Sequence, residues 1–221
     1  ALASALRVNA VLTNLNLRFN HIGPEGGVAI SKALAVNGVL TDLNLFDNNI
    51  GPEGGVAIGK ALAVNEVLNV LDISRNDIGP EGGLAIGEAL AVNAVLTVLN
   101  LFDNSIGDVG AMALASALRV NGVLTSLDVG FNSLTEEAAL GIIRVERQRN
   151  KLTSLGLAGC IIGPTGAAEI AEYVSGSEVL KSLDLYGNNI RAEGAAAIAE
   201  ALRGNAVLTS LNLQSNFIRD K

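Results

Sequence analysis

The sequence predicts an α/β fold. We expect a right-handed β-α solenoid in the shape of a horseshoe, with a parallel sheet on the concave face and helices on the convex face. A leucine pattern, L-x-x-L-x-Φ with Φ apolar, recurs every 28 residues. Within each copy the apolar spacing changes from the alternation of a strand to the spacing of a helix. A fixed period of this length is characteristic of solenoids. The copies begin at Leu12, Leu40, Leu68, Leu96, Leu124, Leu152, Leu180 and Leu208.

The second copy shows how each element is predicted. Residues 43–45, Leu-Asn-Leu, alternate as a half-buried strand does. Asn48 stands where the chain turns. Residues 51–53, Gly-Pro-Glu, predict a helix start, because proline is tolerated in the first turn and glutamate favours the positive end of the helix dipole. Apolar residues continue at helical spacing to Val64, and Asn65 is expected to end the helix in the left-handed conformation.

Stacking of these units predicts the curvature. Neighbouring strands lie ~4.8 Å apart, whereas neighbouring helices need ~8–10 Å. The helical side must therefore be longer, so the strands line the inside of the arc. Glycine and alanine along the helices make them thin, which should soften the curvature.

An asparagine recurs at the ninth position of nearly every copy. A buried amide without a partner costs roughly 1–3 kcal/mol, so each is predicted to bond to the turn backbone of its own and the adjacent copy. Cys160 takes this position in the sixth copy and is interpreted as a structural substitute rather than a reactive thiol. The asparagines are Asn20, Asn48, Asn76, Asn104, Asn132, Asn188 and Asn216.

The repeats predict one elongated domain over residues 1–221. Residues 1–11 match the second half of a copy and residues 208–221 the first half, so both are predicted to be partial repeats. Full repeats begin at 12, 40, 68, 96, 124, 152 and 180. The terminal apolar layers are expected to be partly open, which would favour end-to-end self-association or contact with neighbouring subunits. These layers contain Leu2, Leu6, Leu211, Leu213 and Ile218.

Composition argues against several functions. A net charge of −7 disfavours a general binder of nucleic acid, and no apolar run approaches the ~18–20 residues of a membrane span. The single cysteine suits a reducing compartment, so we expect an intracellular, cytoplasmic location. His21 has no second ligand nearby, so neither a metal nor a cofactor is expected. The glycine-rich segment 51–55 lacks the Lys-Ser/Thr of a phosphate loop, and no nucleophile stands in a catalytic motif.

The concave face is the predicted binding surface. The third, fifth and seventh positions of each copy should project from it, because the leucines between them must face the helices. Phe46 and Phe102 either contact a partner, as aromatic anchors do in interfaces, or lie flat across small neighbours such as Ser74 and Gly130. The candidate partner-binding residues are Asp42, Asn44, Phe46, Asp47, Asp72, Arg75, Asn100, Phe102, Asp103 and Tyr186.

Two charged groups have competing interpretations. Asp47 and Asp103 could form a hydrolytic carboxylate pair, but Arg75 holds the equivalent position between them, so a charge ladder is the better interpretation. A basic cluster on the fifth helix either docks an acidic partner or pairs with the next helix, where Glu172 is equivalent to Arg144. This cluster contains Arg144, Arg147, Arg149 and Lys151.

With its 28-residue period, the asparagine or cysteine at position nine and the helix segment G-P-E-G-G…A-x-A-L, the chain resembles leucine-rich repeats of the ribonuclease-inhibitor type. Similar repeats occur in nucleotide-binding innate receptors, in Ran GTPase-activating proteins and in actin-regulatory scaffolds. The fifth copy departs most, at residues 134–137 and 145–151.

Together, the resemblance and the concave residues favour a non-catalytic protein–protein interaction module or scaffold. The expected partner is a protein with a basic and apolar surface. A GTPase-activating protein of the Ran type and a structural subunit of a larger assembly remain alternatives.

Overall fold

The computed structural model describes residues 1–219, in which eight short strands alternate with eight helices. The strands are β1 (Asn14–Asn16), β2 (Asp42–Asn44), β3 (Val70–Asp72), β4 (Val98–Asn100), β5 (Ser126–Asp128), β6 (Ser154–Gly156), β7 (Ser182–Asp184) and β8 (Ser210–Asn212). The helices are α1 (Leu2–Leu6), α2 (Gly23–Leu34), α3 (Gly51–Leu62), α4 (Gly79–Leu90), α5 (Gly107–Leu118), α6 (Glu136–Arg149), α7 (Pro164–Gly176) and α8 (Arg191–Gly204).

The strands form one open parallel sheet in chain order, β1 to β8. Each strand pairs with the next in the same register, so that Leu15 lies opposite Leu43 and Leu43 opposite Leu71. Since strands pack more closely than helices, the sheet lines the concave side. The predicted β-α solenoid is confirmed.

The core lies between the sheet and the helices. The leucines at the first, fourth and sixth positions fill it: Leu40, Leu43 and Leu45 are at most 2% exposed. Burial of one such side chain contributes about 1.5–3 kcal/mol. The residues between them on each inner strand stay half-buried, which leaves the other face of the sheet open.

The asparagine ladder is confirmed. The Asn76 amide nitrogen donates to the carbonyl oxygens of Leu45 (2.9 Å), Ile73 (2.9 Å) and Ser74 (3.0 Å), and its oxygen accepts the N–H of Asn48 (3.0 Å). The ladder satisfies buried turn backbone in two consecutive repeats. Asn48, Asn76 and Asn104 are at most 1% exposed and bonded alike.

Cys160 substitutes for asparagine only in part. The Cys160 N–H donates to the Asn188 side chain (2.9 Å), as in the other repeats. The Cys160 side chain, however, does not accept the N–H of the preceding ladder residue, Asn132, whereas the Asn132 side chain does accept the N–H of Asn104. In the described chain no other side chain accepts the Asn132 N–H. Burial, with a smaller contribution from Asp128, raises the pKa of the Cys160 thiol to about 12. Cys160 is therefore an unreactive gap in the ladder.

The expected left-handed conformation of Asn65 is wrong. Asn65 does not adopt a positive φ; instead its amide nitrogen donates to the carbonyl oxygen of Leu34 (2.8 Å), and its oxygen accepts the N–H of Leu68 (2.7 Å). The side chain thus joins the end of one helix to the start of the next strand. A second ladder results, made by Asn37, Asn65, Asn93, Asn121 and Asn205.

An ion pair replaces this second asparagine in the fifth repeat. Arg149 donates to the carbonyl oxygens of Asn121 (2.7 Å) and Leu124 (2.6 Å), and Glu146 accepts the N–H of Leu152 (3.1 Å). Arginine supplies the donor and glutamate the acceptor that one asparagine supplies elsewhere. The two side chains bond to each other at 2.7 Å, with side-chain exposures of 7% and 0%.

The terminal layers are open in part. Leu2 and Ile218 are 48% and 44% exposed, and Leu211 and Leu213 are half-buried. The expectation for Leu6 is wrong, because α1 packs it into the core at 2% exposure. Within the described part of the chain, no helix has both the length and the apolar character needed to cross a bilayer.

Candidate protein-binding surface

The fifth strand position has a structural role that explains its composition. The side-chain oxygen of Asn44 accepts the N–H of Phe46 (3.0 Å), and Asn100 does the same for Phe102 (3.0 Å). Asn and Asp favour such bonds to the backbone two residues later. Asp72 in addition accepts the Asn44 amide at 3.1 Å. These predicted contact residues therefore have a structural role, because their side chains hold the backbone at the end of the strand. Their remaining polar atoms face the open side of the sheet.

The seventh and eighth positions form a row of large side chains where the strands end. The Phe46 ring meets Phe19 edge to face, with ring centroids 5.0 Å apart. The guanidinium groups of Arg18 and Arg75 lie 4.7 Å and 5.7 Å from the Phe46 centroid, and Arg75 pairs with Asp103 at 3.4 Å. We call these five residues the first aromatic cluster.

Farther along the row, Phe131 joins Phe102 and Tyr186. Its ring centroid lies 5.2 Å from that of Phe102 and 6.0 Å from that of Tyr186. Phe131 reaches across the sixth repeat because Gly159 stands at the equivalent position there, where a Cβ would come within 2.8 Å of the Phe131 ring. We call these three residues the second aromatic cluster.

The structure thus brings together Phe46, Arg75 and Asp103, and separately Phe102 and Tyr186. Phe46 and Phe102 are half-buried, and their rings contact those of Phe19 and Phe131 respectively. In this row the most exposed aromatic residues are Phe19 (62% exposed) and Phe131 (41%), which sequence reasoning missed, and Tyr186 (37%), which it named. The predicted ladder from Asp47 through Arg75 forms only at its Arg75–Asp103 step in the described residues.

The backbone at the eighth position has a positive φ, and this conformation sets the direction in which the Phe19 and Phe131 side chains project. Phe19 has φ 59° and Phe131 φ 55°, a region that costs a bulky residue about 1–2 kcal/mol. Gly159 and Gly187 hold the same position with φ 62° and 66°. The two phenylalanines therefore project from the turn at some cost to stability, although glycine fits the turn better.

The two aromatic clusters differ in the charged groups that surround them. Asp128 lies on the open face beside the second cluster, and its carboxyl group occupies the space that a Cβ of Gly156 would need. Burial raises the pKa of Asp128; the Gly130 N–H opposes the shift, and the charges of Asp184 and Asp72 add to it. This end of the face is an apolar surface next to carboxylates.

The three arginines of the basic cluster lie on α6 and pair with glutamates, whereas Lys151 lies beyond the end of that helix. Arg144 bonds to Glu137 and Glu169, and Arg147 bonds to Glu172 at 2.8 Å. The expected pairing of Arg144 with Glu172 is wrong. A helical side chain leans toward the N-terminus of its helix, so the longer arginine reaches a glutamate one turn earlier in the next helix. Arg149, buried against Glu146, does not belong to the surface at all.

Among residues 1–219 no three His, Cys, Asp or Glu side chains lie together in a way that could hold a metal ion. The features that the face does offer are exposed rings and charges on a rigid sheet.

Comparison with known proteins relates this architecture to others. A family model described as Leucine Rich repeat matches residues 8–31, 36–59, 64–87, 92–115 and 176–199, together more than half of the chain. A solved structure of Leiomodin-1 Actin-Binding Site 2 is similar at 25% identity and a TM-score of 0.57, covering 69% of this chain and 87% of that one. A Caenorhabditis elegans tropomodulin C-terminal domain aligns at 12% identity and a TM-score of 0.44, covering 91% and 89%. No curated protein matches the sequence.

Proposed function

The chain belongs to the leucine-rich repeat family, and we propose that it is a non-catalytic protein-interaction module that binds a protein partner through the open face of its sheet. One observation carries the proposal. Large aromatic side chains are held in exposed, conformationally costly positions where glycine would be better for the fold. Exposed aromatic anchors beside charged groups are typical of protein interfaces.

The binding residues that we propose are those of the sequence prediction with two additions. Phe46, Phe102 and Tyr186 supply anchors, and Phe19 and Phe131 join them because they expose more of their surface. The polar contacts would come from Asp42, Asn44, Asp47, Asp72, Arg75, Asn100 and Asp103. The face is broad and shallow, which suits a protein better than a small metabolite.

Actin is the first partner to test, since the similar leiomodin fragment is described as an actin-binding site. The ribonuclease-inhibitor-like subtype and an intracellular location are part of the same proposal. A Ran-type GTPase activator is the competing function. It rests on family resemblance, and an assay of GTP hydrolysis by candidate GTPases, with and without the chain, distinguishes it.

Two double variants test the proposal, and each replaces two large side chains by alanine. Phe46→Ala with Phe102→Ala changes the open face, and Arg144→Ala with Arg147→Ala changes the helical face. Partners are captured on the wild-type chain, identified by mass spectrometry, purified and titrated; actin is titrated directly. We expect the phenylalanine pair to weaken binding by more than ~2 kcal/mol.

The arginine pair should leave binding within about twofold, since exposed ion pairs contribute little. Loss of binding in the arginine variant and its persistence in the phenylalanine variant would place the interface on the helices and overturn the proposal.

A further inference from the structure

The first aromatic cluster already holds cations. Two guanidinium groups lie over the Phe46 ring, and one of them, Arg75, also forms an ion pair with the Asp103 carboxylate. A guanidinium group placed on a ring and beside a carboxylate gains both a cation–π contact and a favourable charge interaction. The chain itself therefore supplies the rings, the cations and the carboxylate of the first aromatic cluster.

The second aromatic cluster has the rings and the carboxylates but no cation. In residues 1–219 no lysine or arginine lies over Phe102, Phe131 or Tyr186, whereas every cation–π contact falls on Phe19 or Phe46. Carboxylates flank the rings. Asp184 accepts the N–H of Tyr186 at 2.9 Å, and Asp128 accepts that of Gly130, next to Phe131, at 2.9 Å.

These two carboxylates stand on either side of a gap. Asp128 ends β5 and Asp184 ends β7, so two strand spacings, about 10 Å, separate their backbones. Between them Gly156 ends β6 without a side chain, and Ala158, two residues later, is only 3% exposed. The carboxyl group of Asp128 leans over Gly156 and fills part of this gap, so the open space that remains lies between that carboxyl group and Asp184.

We propose that the second aromatic cluster binds one arginine side chain of the partner protein, with the guanidinium group against the Phe131 and Tyr186 rings and between the carboxylates of Asp128 and Asp184. This inference rests on the proposed function and specifies its partner. Arginine fits better than lysine because its planar group stacks on rings and donates to two carboxylates at once.

The Asp128 carboxylate is costly to the free chain, which supports a role in binding. Asparagine makes the same bond to the backbone at the equivalent positions Asn44 and Asn100, so the fold does not need the charge at Asp128. The raised pKa of Asp128 means that its charged form is disfavoured in the folded chain, so this penalty appears as the pH rises through the unfolded pKa and is complete above the folded pKa. Asp128→Asn should therefore stabilise the fold at pH 7 and weaken binding.

The test uses the peptide acetyl-Ala-Arg-Ala-amide and the same peptide with citrulline, which has the shape of arginine without its charge. Both are titrated into the full chain, labelled with 15N, and amide shifts are followed by NMR. We expect the arginine peptide to move the amides of Gly130, Phe131 and Tyr186 with a Kd on the order of millimolar. The citrulline peptide should bind at least about tenfold more weakly.

A matched pair of variants controls for folding. Phe131→Gly and Phe19→Gly both place glycine at the left-handed eighth position, where Gly159 and Gly187 already stand. The variant Phe131→Gly should bind the arginine peptide at least about tenfold more weakly than the wild type, and so should the double variant Asp128→Asn with Asp184→Asn. The variant Phe19→Gly should bind it within about twofold of the wild type. Equal binding of the citrulline peptide, equal loss in both glycine variants, or no shift at the second cluster would each overturn the inference.

The outcome also separates this inference from the proposed function. If Phe131→Gly abolishes capture of a protein partner while the arginine peptide does not bind, the sheet face is an interface but its ligand is not arginine. If the peptide binds as expected and the protein partner depends only on the helical face, the proposed function is wrong and the cluster is an arginine site of another role.

Discussion

Glu146 and Arg149 provide the sharpest test of how the repeats are held together. In the fourth repeat the equivalent residues are Leu118 and Asn121, so Glu146→Leu and Arg149→Asn each restore half of the repeat pattern. The wild-type pair is almost fully buried, and Glu146 also accepts the N–H of Leu152. Each single substitution removes one charge and leaves the other buried without its partner.

The magnitudes follow from that burial. Removal of one partner of a buried ion pair costs about 3–5 kcal/mol, so each single variant should lose that much of its free energy of unfolding. Replacement of both by a packed leucine and a neutral hydrogen-bonding side chain is close to neutral. The amide introduced by Arg149→Asn could donate to Asn121 and accept from Leu152, as the Asn121 side chain donates to Asn93 and accepts from Leu124 one repeat earlier. The double variant should thus recover to within about 2 kcal/mol of the wild type.

Urea denaturation followed by circular dichroism measures the three free energies, and hydrogen exchange at the Leu152 amide reports the local bond. Because helix α6 continues one turn beyond the end of α5 in repeat position, the double variant must shorten it, which is why recovery is not expected to be complete. If the two single losses simply add in the double variant, glutamate and arginine do not replace one asparagine, and our account of the second ladder is wrong.

The other predictions concern single positions. Asn76→Ala should lower the free energy of unfolding by about 1–3 kcal/mol in urea, whereas Asn20→Ala at the exposed first ladder step should change it by less than about 0.5; equal effects would contradict the ladder. Cys160→Asn should raise stability by about 1 kcal/mol, since the new amide oxygen can accept the Asn132 N–H, and an unchanged urea midpoint would contradict this. Ile161→Asn should raise it by about 1 kcal/mol, because a β-branched residue 63% exposed at φ 55° gains little from its contacts; thermal melting tests this, and a lower melting temperature would show that Ile161 is packed after all.

The fold could be predicted because every repeat imposes the same condition on its neighbour. The buried leucines face the helices in all copies, so a slip of one residue between β2 and β3 would turn Leu43 toward the open face. Only one register buries them all. The ninth-position asparagine could be predicted on the same ground, since its amide had to be paired once the turn was buried.

The exposed aromatic surface could be predicted only in part, because side-chain direction there depends on φ. The eighth position holds Phe19, Asp47 and Phe131, a mixture that shows no periodicity and does not suggest a left-handed turn. Gly159 and Gly187 at the equivalent position were the available signal. Without it, the aromatic residues at position seven appeared to be the main anchors.

The charged residues of the fifth repeat were interpreted as a surface cluster, although one of them, Arg149, is buried. Residues 145–151 have the composition of a solvated helix end, and composition alone does not separate an exposed arginine from a buried one. Alignment of repeats places Arg149 at the position of Asn121, which indicates that its environment is a ladder step and not solvent.

The departures from the repeat pattern and Phe131, the central ring of the second aromatic cluster, fall in the same part of the chain. The family model skips residues 116–175, and this interval contains Phe131, the Glu146–Arg149 pair and Cys160. Sheet register nevertheless continues unchanged from β4 through β7. The pair restores the bonds to the Asn121 carbonyl and the Leu152 N–H in one ladder, and Cys160 keeps one bond of the other. The backbone here is held by a changed set of side chains, and the surface above it has the Phe131 ring, which joins Phe102 and Tyr186, and the Asp128 carboxylate, whose pKa is raised by burial. A strained Phe131 and a partly buried Asp128 both reduce stability, so an explanation from the fold alone would have to treat two costs only three residues apart as coincidence, whereas the proposed recognition of a cation would explain both.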